Sequence, residues 1–460
     1  MPKLNVMGPS KKGISAAANN QESLNCYVIP SVGGRNEMSM TSCMGSKLHS
    51  DTVGEPRGIY TKNKKTYAVI GTTLFEIFSN GSFTNRGIIP GVGPVSISDD
   101  GDTIIIVNGT TTGYYYDIDS DSLRQVNLPY LANSVTYLDT YMIFTSNDRL
   151  FFISNVGVSD AFNALDFARV SQSTGELISV VADHGELVFF TSTDIEIWYN
   201  SGDVNFAFAK NTSAVIERGA ISAPSVARED NSITFLGDDL IVYRLEGYQP
   251  VRISNVDVEL ILSNLKKEFT TDLENARAFF FTEHGHKFYQ LTIPNQTTIV
   301  YDIATQEWHT RKHYDYKTHH GVFYTFAFGR HLILNLVGQV FEMSKSIYDD
   351  AGRPLIRLRR TACYSIDDKI MSWKLLKFIF DFGNTKITSG QGSDPQLMIK
   401  WSYDYGATWR GEKWRSLGVS GDRKAKANLR GLGSSRHRLL EFSCSDPVPF
   451  ELIDCYIEYS

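Results

Sequence analysis

The sequence predicts an all-β protein: a seven-bladed β-propeller, with six blades as the alternative count, followed by a small β-sandwich-like domain. The 460 residues include 23 Tyr, 27 Phe and 36 Gly. Aromatic side chains with frequent glycine suit pleated strands that are joined by tight turns. A unit made of an alternating strand, a polar turn and a strongly apolar strand recurs along the chain. After Met343 this recurrence stops and longer alternating strands replace it.

The repeating unit occurs seven times between residues 57 and 343. A period of about 40–50 residues with several strands per repeat is typical of propellers, because each blade buries its faces only against its neighbours. The longest interval contains Val258–Asn275, whose pattern predicts one or two short inserted helices. The central strands, spaced 38 to 57 residues apart, end near Gly71, Gly109, Asn147, Ser192, Gly237, Pro294 and Gly338.

Three segments follow from this pattern. Residues 1–56 are polar and rich in Gly, Ser and Asn, and we expect them to form an extended arm on another surface or subunit. Residues 57–345 form the predicted propeller. Residues 346–460 contain five alternating strands without the propeller period, which predicts the sandwich-like domain.

Charge and cysteine usage narrow the class of function. The net charge is −6, divided into −12 for residues 1–352 and +6 for residues 353–460. The chain as a whole is therefore not a polycation that would coat nucleic acid. The five cysteines form no C-x-x-C pair, which favours folding in a reducing compartment. No apolar run approaches membrane-helix length and no signal-peptide pattern is present, so we expect no membrane insertion.

The sequence offers no constellation of a nucleophile, a base and an orienting group, and no nucleotide or zinc-hydrolase motif. We therefore predict that the protein is not an enzyme and uses no metal or cofactor. The histidines cluster late in the chain without a persuasive metal-ligand spacing, and we interpret them as loop and strand-face residues at subunit contacts. They are His284, His286, His309, His313, His319, His320 and His331.

One motif is specific in its spacing. Residues 402–409 match S-x-D-x-G-x-T-W, the Asp-box, a hairpin in which the carboxylate caps the turn and glycine adopts a positive φ. A sialidase would need an arginine triad and usually several Asp-boxes, whereas this single copy lies outside the repeats. We predict a structural hairpin that uses Ser402, Asp404, Gly406, Thr408 and Trp409.

The strongest charge feature is a basic stretch in the C-terminal domain. Three interpretations are open: an interface with an acidic partner surface, which we favour, a solvated pair of loops, and contact with nucleic-acid phosphates. Aromatic residues interleave too weakly for a base-stacking platform. The candidate contact residues are Arg410, Lys413, Arg415, Arg423, Lys424, Lys426, Arg430, Arg436 and Arg438.

The order of segments resembles a known family. ESLNCYV (residues 22–28), GEPRGIY (54–60), AVIGTTLFEI (68–77) and the terminal RLLEFSCSDPVPFELIDCYIEYS (438–460) carry the resemblance. The chain resembles the packaged-DNA stabilisation or tail-hub (nozzle) proteins of short-tailed bacteriophages, the tail accessory factors of podoviruses. Catalytic residues do not belong to that family.

The resemblance implies a structural virion protein of the phage tail, assembled in the host cytoplasm. Copies of it, expected to be six, form a ring below the portal and its adaptor. The ring completes the head, extends the DNA channel without sequence specificity, retains the genome until ejection, and docks tailspikes or fibres and the tail needle or plug. The alternatives are a propeller that binds or hydrolyses glycans and a kelch-like interaction adaptor.

Overall fold

The computed structural model describes residues 1–460 except 14, 18, 31–37, 171–173, 230, 366, 382–386, 388 and 419–424. Its elements are almost all β-strands, as the aromatic and glycine content predicts. The N-terminal segment contains β1 (Lys11–Lys12), β2 (Asn20–Leu24), β3 (Cys26–Pro30), β4 (Met38–Ser42) and β5 (Gly45–Ser50).

Four antiparallel sheets of four strands each follow in chain order. Blade 1 contains β6 (Pro56–Lys62), β7 (Lys65–Ile70), β8 (Thr73–Ile77) and β9 (Phe83–Ile88). Blade 2 contains β10 (Ser96–Asp99), β11 (Thr103–Val107), β12 (Thr110–Asp117) and β13 (Ser122–Ala132). Blade 3 contains β14 (Ser134–Leu138), β15 (Tyr141–Thr145), β16 (Leu150–Ile153) and β17 (Phe167–Arg169). Blade 4 contains β18 (Leu177–Asp183), β19 (Glu186–Thr191), β20 (Ile195–Asn200) and β21 (Phe208–Ile216).

Three further blades complete the series within the described residues. A 3-10 turn (Ala223–Ser225) precedes blade 5, which contains β22 (Ala227–Glu229), β23 (Ser232–Leu236), β24 (Val242–Glu246) and β25 (Gln249–Arg252). Helices α1 (Val256–Glu268) and α2 (Thr270–Glu274) occupy the insertion, and neither has the length and apolar character to cross a membrane. Blade 6 contains β26 (Arg277–Glu283), β27 (His286–Ile293), β28 (Thr297–Asp302) and β29 (Glu307–Arg311). Blade 7 contains β30 (Gly321–Ala327), β31 (Arg330–Asn335) and β32 (Val340–Ser344).

The N-terminal strand β5 supplies the fourth strand of blade 7. It pairs antiparallel with β32, with Ser46 opposite Met343. The first strands of neighbouring blades lie side by side, and β30 of blade 7 contacts β6 of blade 1, which closes the circle. A separate buried apolar cluster fills each of the seven gaps between described blades. The blades are thus held together by burial of both sheet faces.

The C-terminal region is a β-sandwich, preceded by a connector whose strands β33 (Asp349–Asp350) and β34 (Arg353–Pro354) extend the sheet of blade 7. Its core, between the two sheets, contains Trp373, Phe378, Leu397 and Phe442. The strands are β35 (Arg357–Arg360), β36 (Met371–Asp381), β37 (Gln396–Ser402), β38 (Arg410–Ser416), β39 (Ala425–Arg430), β40 (Ser434–Ser435), β41 (Leu439–Cys444) and β42 (Glu451–Tyr459).

The described part of residues 1–56, a segment expected to lie on another surface or subunit, instead builds sheets of its own chain. One sandwich sheet has the order β3-β4-β42-β36-β39, with β40 also beside β36. The other has the order β2-β35-β41-β37-β38, and β2 also pairs with β29 of blade 6, so that one sheet runs from the propeller into the sandwich. The segment is held because Val6, Cys26 and Met40 lie buried in the sandwich core.

Candidate functional site

Two edge strands bring most of the predicted basic residues together. Strand β38 is the last strand of one sandwich sheet and β39 is the last strand of the other. The side chain of Lys413 joins them, because its Nζ donates to the carbonyl oxygens of Arg430 (2.9 Å) and Gly431 (3.2 Å). Arg415 Nε donates to the Asn428 carbonyl at 3.2 Å. We define the basic edge as Arg410, Lys413, Arg415, Lys426 and Arg430.

The basic edge carries unneutralised charge. Arg410, Lys426 and Arg430 are exposed, and Lys413 and Arg415 are partly buried. Within the described residues, no carboxylate oxygen lies within 4.0 Å of any of these five cationic groups. Other arginines of the sandwich do have carboxylate partners: Arg360, for example, pairs with Glu441 at 2.7 Å. A cluster of unpaired cations on a protein surface attracts anionic partners.

The other predicted basic residues lie elsewhere. Arg438 is completely buried, with its guanidinium 4.6 Å above the Trp373 ring and 5.1 Å from the Tyr403 ring. It is therefore a core residue rather than a surface contact, and burial lowers its pKa to about 10. Arg436 donates to the Asp368 carbonyl at 2.6 Å. Arg423 and Lys424 lie outside the described residues.

The Asp-box residues form a closed hydrogen-bonded turn after β37. Asp404 accepts from the backbone N–H of Thr408 at 2.8 Å and from its hydroxyl at 2.6 Å. Ser402 Oγ accepts from the N–H of Gly406 at 2.8 Å, and Gly406 has φ +95°. The hydroxyl of Ser402, which donates to Asp404 at 2.6 Å, and the two Thr408 donors lower the pKa of Asp404 to about 2. The N-terminal segment holds the loop from outside, since Asn20 Nδ2 donates to the Tyr405 carbonyl at 2.9 Å.

Removing this carboxylate should loosen the sandwich. We expect Asp404→Ala to lower the melting temperature by about 2–4 °C, because the turn N–H and hydroxyl groups of Thr408 lose their acceptor. Scanning calorimetry measures the change. Glu458→Ala, at an exposed carboxylate of the same domain, is the control, and an equal shift in both variants would contradict a capping role for Asp404.

Asn25 joins three segments of the chain at the boundary between propeller and sandwich. Its Nδ2 donates to the carbonyls of Lys312 and Ile356, both at 2.9 Å, and its Oδ1 accepts from the N–H of Lys312 at 2.9 Å. The side chain is buried and the backbone has φ +53°, a conformation that asparagine tolerates better than most residues. Lys312 follows blade 6 and Ile356 precedes the sandwich, so one amide fixes both to the N-terminal segment.

Arg359 anchors the same segment from the sandwich side. Its buried guanidinium donates to the carbonyls of Val6 (2.9 Å) and Pro9 (2.6 Å) and to Ser23 Oγ (3.1 Å), and it also contacts Gln21 Oε1. Burial lowers its pKa to about 10. We call Asn25 and Arg359 together the clasp. Sequence reasoning missed it, although ESLNCYV contains Asn25 and the alternation in Arg357–Arg360 places Arg359 on an inward face.

Most of the clustered histidines are interior residues, which corrects their interpretation as subunit-contact residues. His284 is exposed and His331 partly buried, and the buried members are His286, His309, His313, His319 and His320. Burial lowers the pKa of His309 to about 3 and also lowers the pKa of His313 and His319. They lie where blade 6, blade 7 and the connector meet, so that their rings fill the seam between these elements.

His319, His320 and Asp350 have donor atoms within 4.8 Å of one another, the spacing of a possible metal site. The hydrogen bonds of the two histidines do not leave the nitrogen lone pairs that a metal ion would need. The N–H of Gly321 and the amide of Gln290 both approach Nδ1 of His319 at 3.2 Å, so the neutral ring carries its proton on Nε2 and offers no lone pair there. His320 Nε2 contacts Ser46 Oγ (2.9 Å) and Asp350 Oδ1 (3.0 Å) directly.

The Ser46, His320 and Asp350 side chains do not form a catalytic triad either. Both oxygens share the same imidazole nitrogen, whereas a triad needs the carboxylate on one nitrogen and the hydroxyl on the other. All three side chains are buried and inaccessible from solvent. The group ties β5 to the connector as a hydrogen-bonded cluster.

A cleft of about 270 Å³ between blades 4 and 5 contains two carboxylates, which a glycosidase would need. Both carboxylates already have side-chain partners. Asp183 contacts His184 at 2.8 Å and Arg228 at 2.8 Å, and Glu186 accepts from the Tyr248 hydroxyl at 2.9 Å. This arrangement is that of paired surface side chains at turn tips.

Comparison with known proteins identifies related folds. The family model described as phage stabilisation protein, bacteriophage P22 Gp10 β-propeller, matches residues 18–339, and the model of the bacteriophage P22 Gp10 β-sandwich matches residues 359–460. No curated protein matches the chain. Among solved structures, BamB from Moraxella catarrhalis is 12% identical, with coverage of 69% of this chain and 93% of that one and a TM-score of 0.39. The designed protein Ika8 is also 12% identical, with coverage of 70% and 99% and a TM-score of 0.42.

Proposed function

The chain belongs to the family of the bacteriophage P22 Gp10 stabilisation protein, and from this membership we propose that its copies form a ring below the portal and its adaptor. The family is structural, so the chain is a component of the virion tail. A non-enzymatic role is part of the proposal. Six copies, tailspikes or fibres, and a needle or plug are the partners that the family resemblance implies.

The rigid joint between the two domains is the observation that supports this proposal most. One sheet runs from blade 6 through β2 into the sandwich, and the clasp fixes the crossing with buried hydrogen bonds. A building block of a ring must hold its contact surfaces at a constant angle, or the ring does not close. A propeller joined to its sandwich by a continuous sheet meets that requirement.

We place the DNA path in the lumen between subunits rather than in the channel of one propeller. Neighbouring inner strands are bonded side by side: Ser96 Oγ accepts from the N–H of Val135 at 3.0 Å, and Thr325 Oγ1 contacts Thr61 Oγ1 at 2.7 Å. Such contacts join the inner strands into a closed ring, which cannot widen around a passing duplex unless they break. A conduit should also bind DNA weakly, because each phosphate–cation contact would have to be broken during ejection, and the net charge of −6 suits that demand.

Co-assembly with the portal–adaptor complex of the same phage tests the function. We expect purified chain to co-sediment with the complex and to add a ring below it in electron micrographs. The same mixture without the adaptor is the control for non-specific aggregation. Wild-type chain that forms no ring with this complex would contradict the proposal. Release of a reducing sugar from host surface glycans would instead favour a propeller glycosidase.

A further inference from the structure

The basic edge is a surface whose partner the proposed function leaves open, and this inference rests on that function. Its five cations are complementary to an anionic surface, since none has a carboxylate partner among the described residues. The edge cannot bind a second basic edge, because like charges placed opposite one another repel. Its partner is therefore a different surface, either of another molecule or of another copy of this chain.

One end of blade 2 has the complementary charge. The turns β10–β11 and β12–β13 lie together there: Thr103 pairs with Asp117, and the N–H of Ile118 donates to the Asp102 carbonyl at 3.1 Å. We define the acidic end as the six aspartates that these two turns present. They are Asp99, Asp100, Asp102, Asp117, Asp119 and Asp121.

The acidic end keeps a surplus of negative charge after its own contacts are counted. Asp99 pairs with Lys62, and Asp121 lies 3.3 Å from Arg86 and 3.6 Å from Lys65. The remaining four carboxylates lie within 4.0 Å of no cationic group among the described residues, and their described partners include backbone N–H groups of the turns. Four unpaired carboxylates on the propeller thus match the unpaired cations on the sandwich.

We propose that the basic edge of one subunit binds the acidic end of blade 2 in a second copy of this chain. The two surfaces lie on different domains, so the contact is heterologous, and heterologous contacts between identical subunits generate rings when the rotation closes. The difference in net charge between residues 1–352 and residues 353–460, −12 against +6, then sets which side of each subunit meets the next. The contact weakens as salt rises, because exposed charges are screened.

DNA phosphate is the less suitable occupant of the basic edge. Two of the five cations, Lys413 and Arg415, already donate to carbonyls of the neighbouring strand. Glu412 lies within the strand that carries them and accepts the indole N–H of the exposed Trp414 at 2.8 Å, which holds the carboxylate at this surface. The Glu412 carboxylate repels phosphate, whereas the acidic end has lysines beside its aspartates, Lys62 and Lys65, that can lie opposite Glu412.

Charge reversal on each side separately tests the contact in the full-length chain. Variant A carries Arg410→Glu, Lys426→Glu and Arg430→Glu, which leaves the edge net negative, and variant B carries Asp102→Lys and Asp119→Lys, which makes the acidic end net positive together with Lys62, Lys65 and Arg86; all five substituted residues are exposed. We expect each variant alone to assemble at least about tenfold more weakly than wild type, since like charges then meet at every interface. Lys267→Glu, at an exposed cation of helix α1, which packs against blades 5 and 6, is the control and should assemble as wild type does.

Mixing the two variants gives the decisive result. Variant A presents an acidic edge to the basic end of variant B, and variant B presents a basic edge to the acidic end of variant A, so every interface in an alternating ring is again complementary. We expect assembly in the equimolar mixture, and in a chain that carries all five substitutions, to recover to within about threefold of wild type. Mass photometry on the adaptor complex measures it.

The outcomes separate this inference from the proposed function. Rings from wild type and from both single-sided variants at equal yield would overturn the assigned surfaces and leave the ring intact. Loss of assembly in variant A without rescue by variant B would also overturn the pairing, as would unchanged assembly with weaker binding of duplex DNA by variant A. Wild type that never forms a ring overturns the function and the pairing together. Matching circular dichroism spectra of the variants exclude misfolding.

Discussion

An Asn25→Asp variant is expected to lose about 3 kcal/mol of unfolding free energy. The substitution keeps the size of the side chain and its tolerance of φ +53°, but it replaces the Nδ2 donor with an oxygen that faces the carbonyls of Lys312 and Ile356. Two buried hydrogen bonds become two repulsive contacts. Thermal unfolding and limited proteolysis of the N-terminal segment measure the loss.

Asn63→Asp is the matched control for this prediction. Asn63 has nearly the same backbone conformation, φ +49°, but it lies exposed in the turn between β6 and β7. We expect its unfolding free energy to change by less than about 0.5 kcal/mol. Equal effects of the two substitutions would show that the Asn25 amide does not join the domains.

The second large effect is acid destabilisation. His309 and His319 stay neutral in the folded chain, because burial lowers the pKa of each, whereas in the unfolded chain each takes up a proton near pH 6.5. The folded state therefore binds fewer protons, so its stability is complete above about pH 6.5 and declines as the pH falls below that value. Below that pH, each such histidine lowers the free energy of unfolding by about 1.4 kcal/mol per pH unit. The pair together lowers it by about 3 kcal/mol per pH unit.

Scanning calorimetry between pH 7.5 and pH 5 checks this slope. Because a glutamine cannot take up the proton, His309→Gln should flatten the dependence by the contribution of one histidine, even if it lowers stability at every pH. His284→Gln, at an exposed imidazole that water surrounds in both states, should leave the slope unchanged. A wild-type melting temperature that stays constant from pH 7 to pH 5 would contradict the assignment of neutral, buried rings.

The propeller could be predicted because its signal is local. Strands such as Thr103–Val107 are buried along their whole length, and burial of that kind requires an uninterrupted apolar run that recurs once per blade. The inserted helices could also be predicted from nearby residues. Asn255, immediately before α1, caps the helix by accepting from the N–H of Val258 at 3.0 Å. Both features depend on neighbours within a few residues.

The clasp and the role of the N-terminal segment could not be predicted in the same way. Strand β2, Asn20–Leu24, has a mostly polar sequence. Because its side chains show no clear alternation of apolar and polar residues, its sequence does not specify β35 as the partner strand. Charge counting assigned Arg438 to the surface because an arginine is rarely buried, whereas aromatic rings and carbonyls compensate its burial here. Lys426 and Arg430 stayed on the surface because alternation in β39 places Ala427 and Leu429 inward.

The late arrival of the clasp's partners has a consequence for synthesis on the ribosome. Ser23 and Arg359, which bond to each other, are 336 residues apart, so the N-terminal strands emerge long before their binding site exists. At about 5–20 residues per second, the nascent segment waits on the order of half a minute. During that time its apolar stretch, Cys26–Pro30, can pair with β4, but the strands that complete the sheet, β42, β36 and β39, are not yet made. We expect translation of this protein to depend on chaperones that hold nascent chains, and slow codons in the propeller to lengthen that dependence.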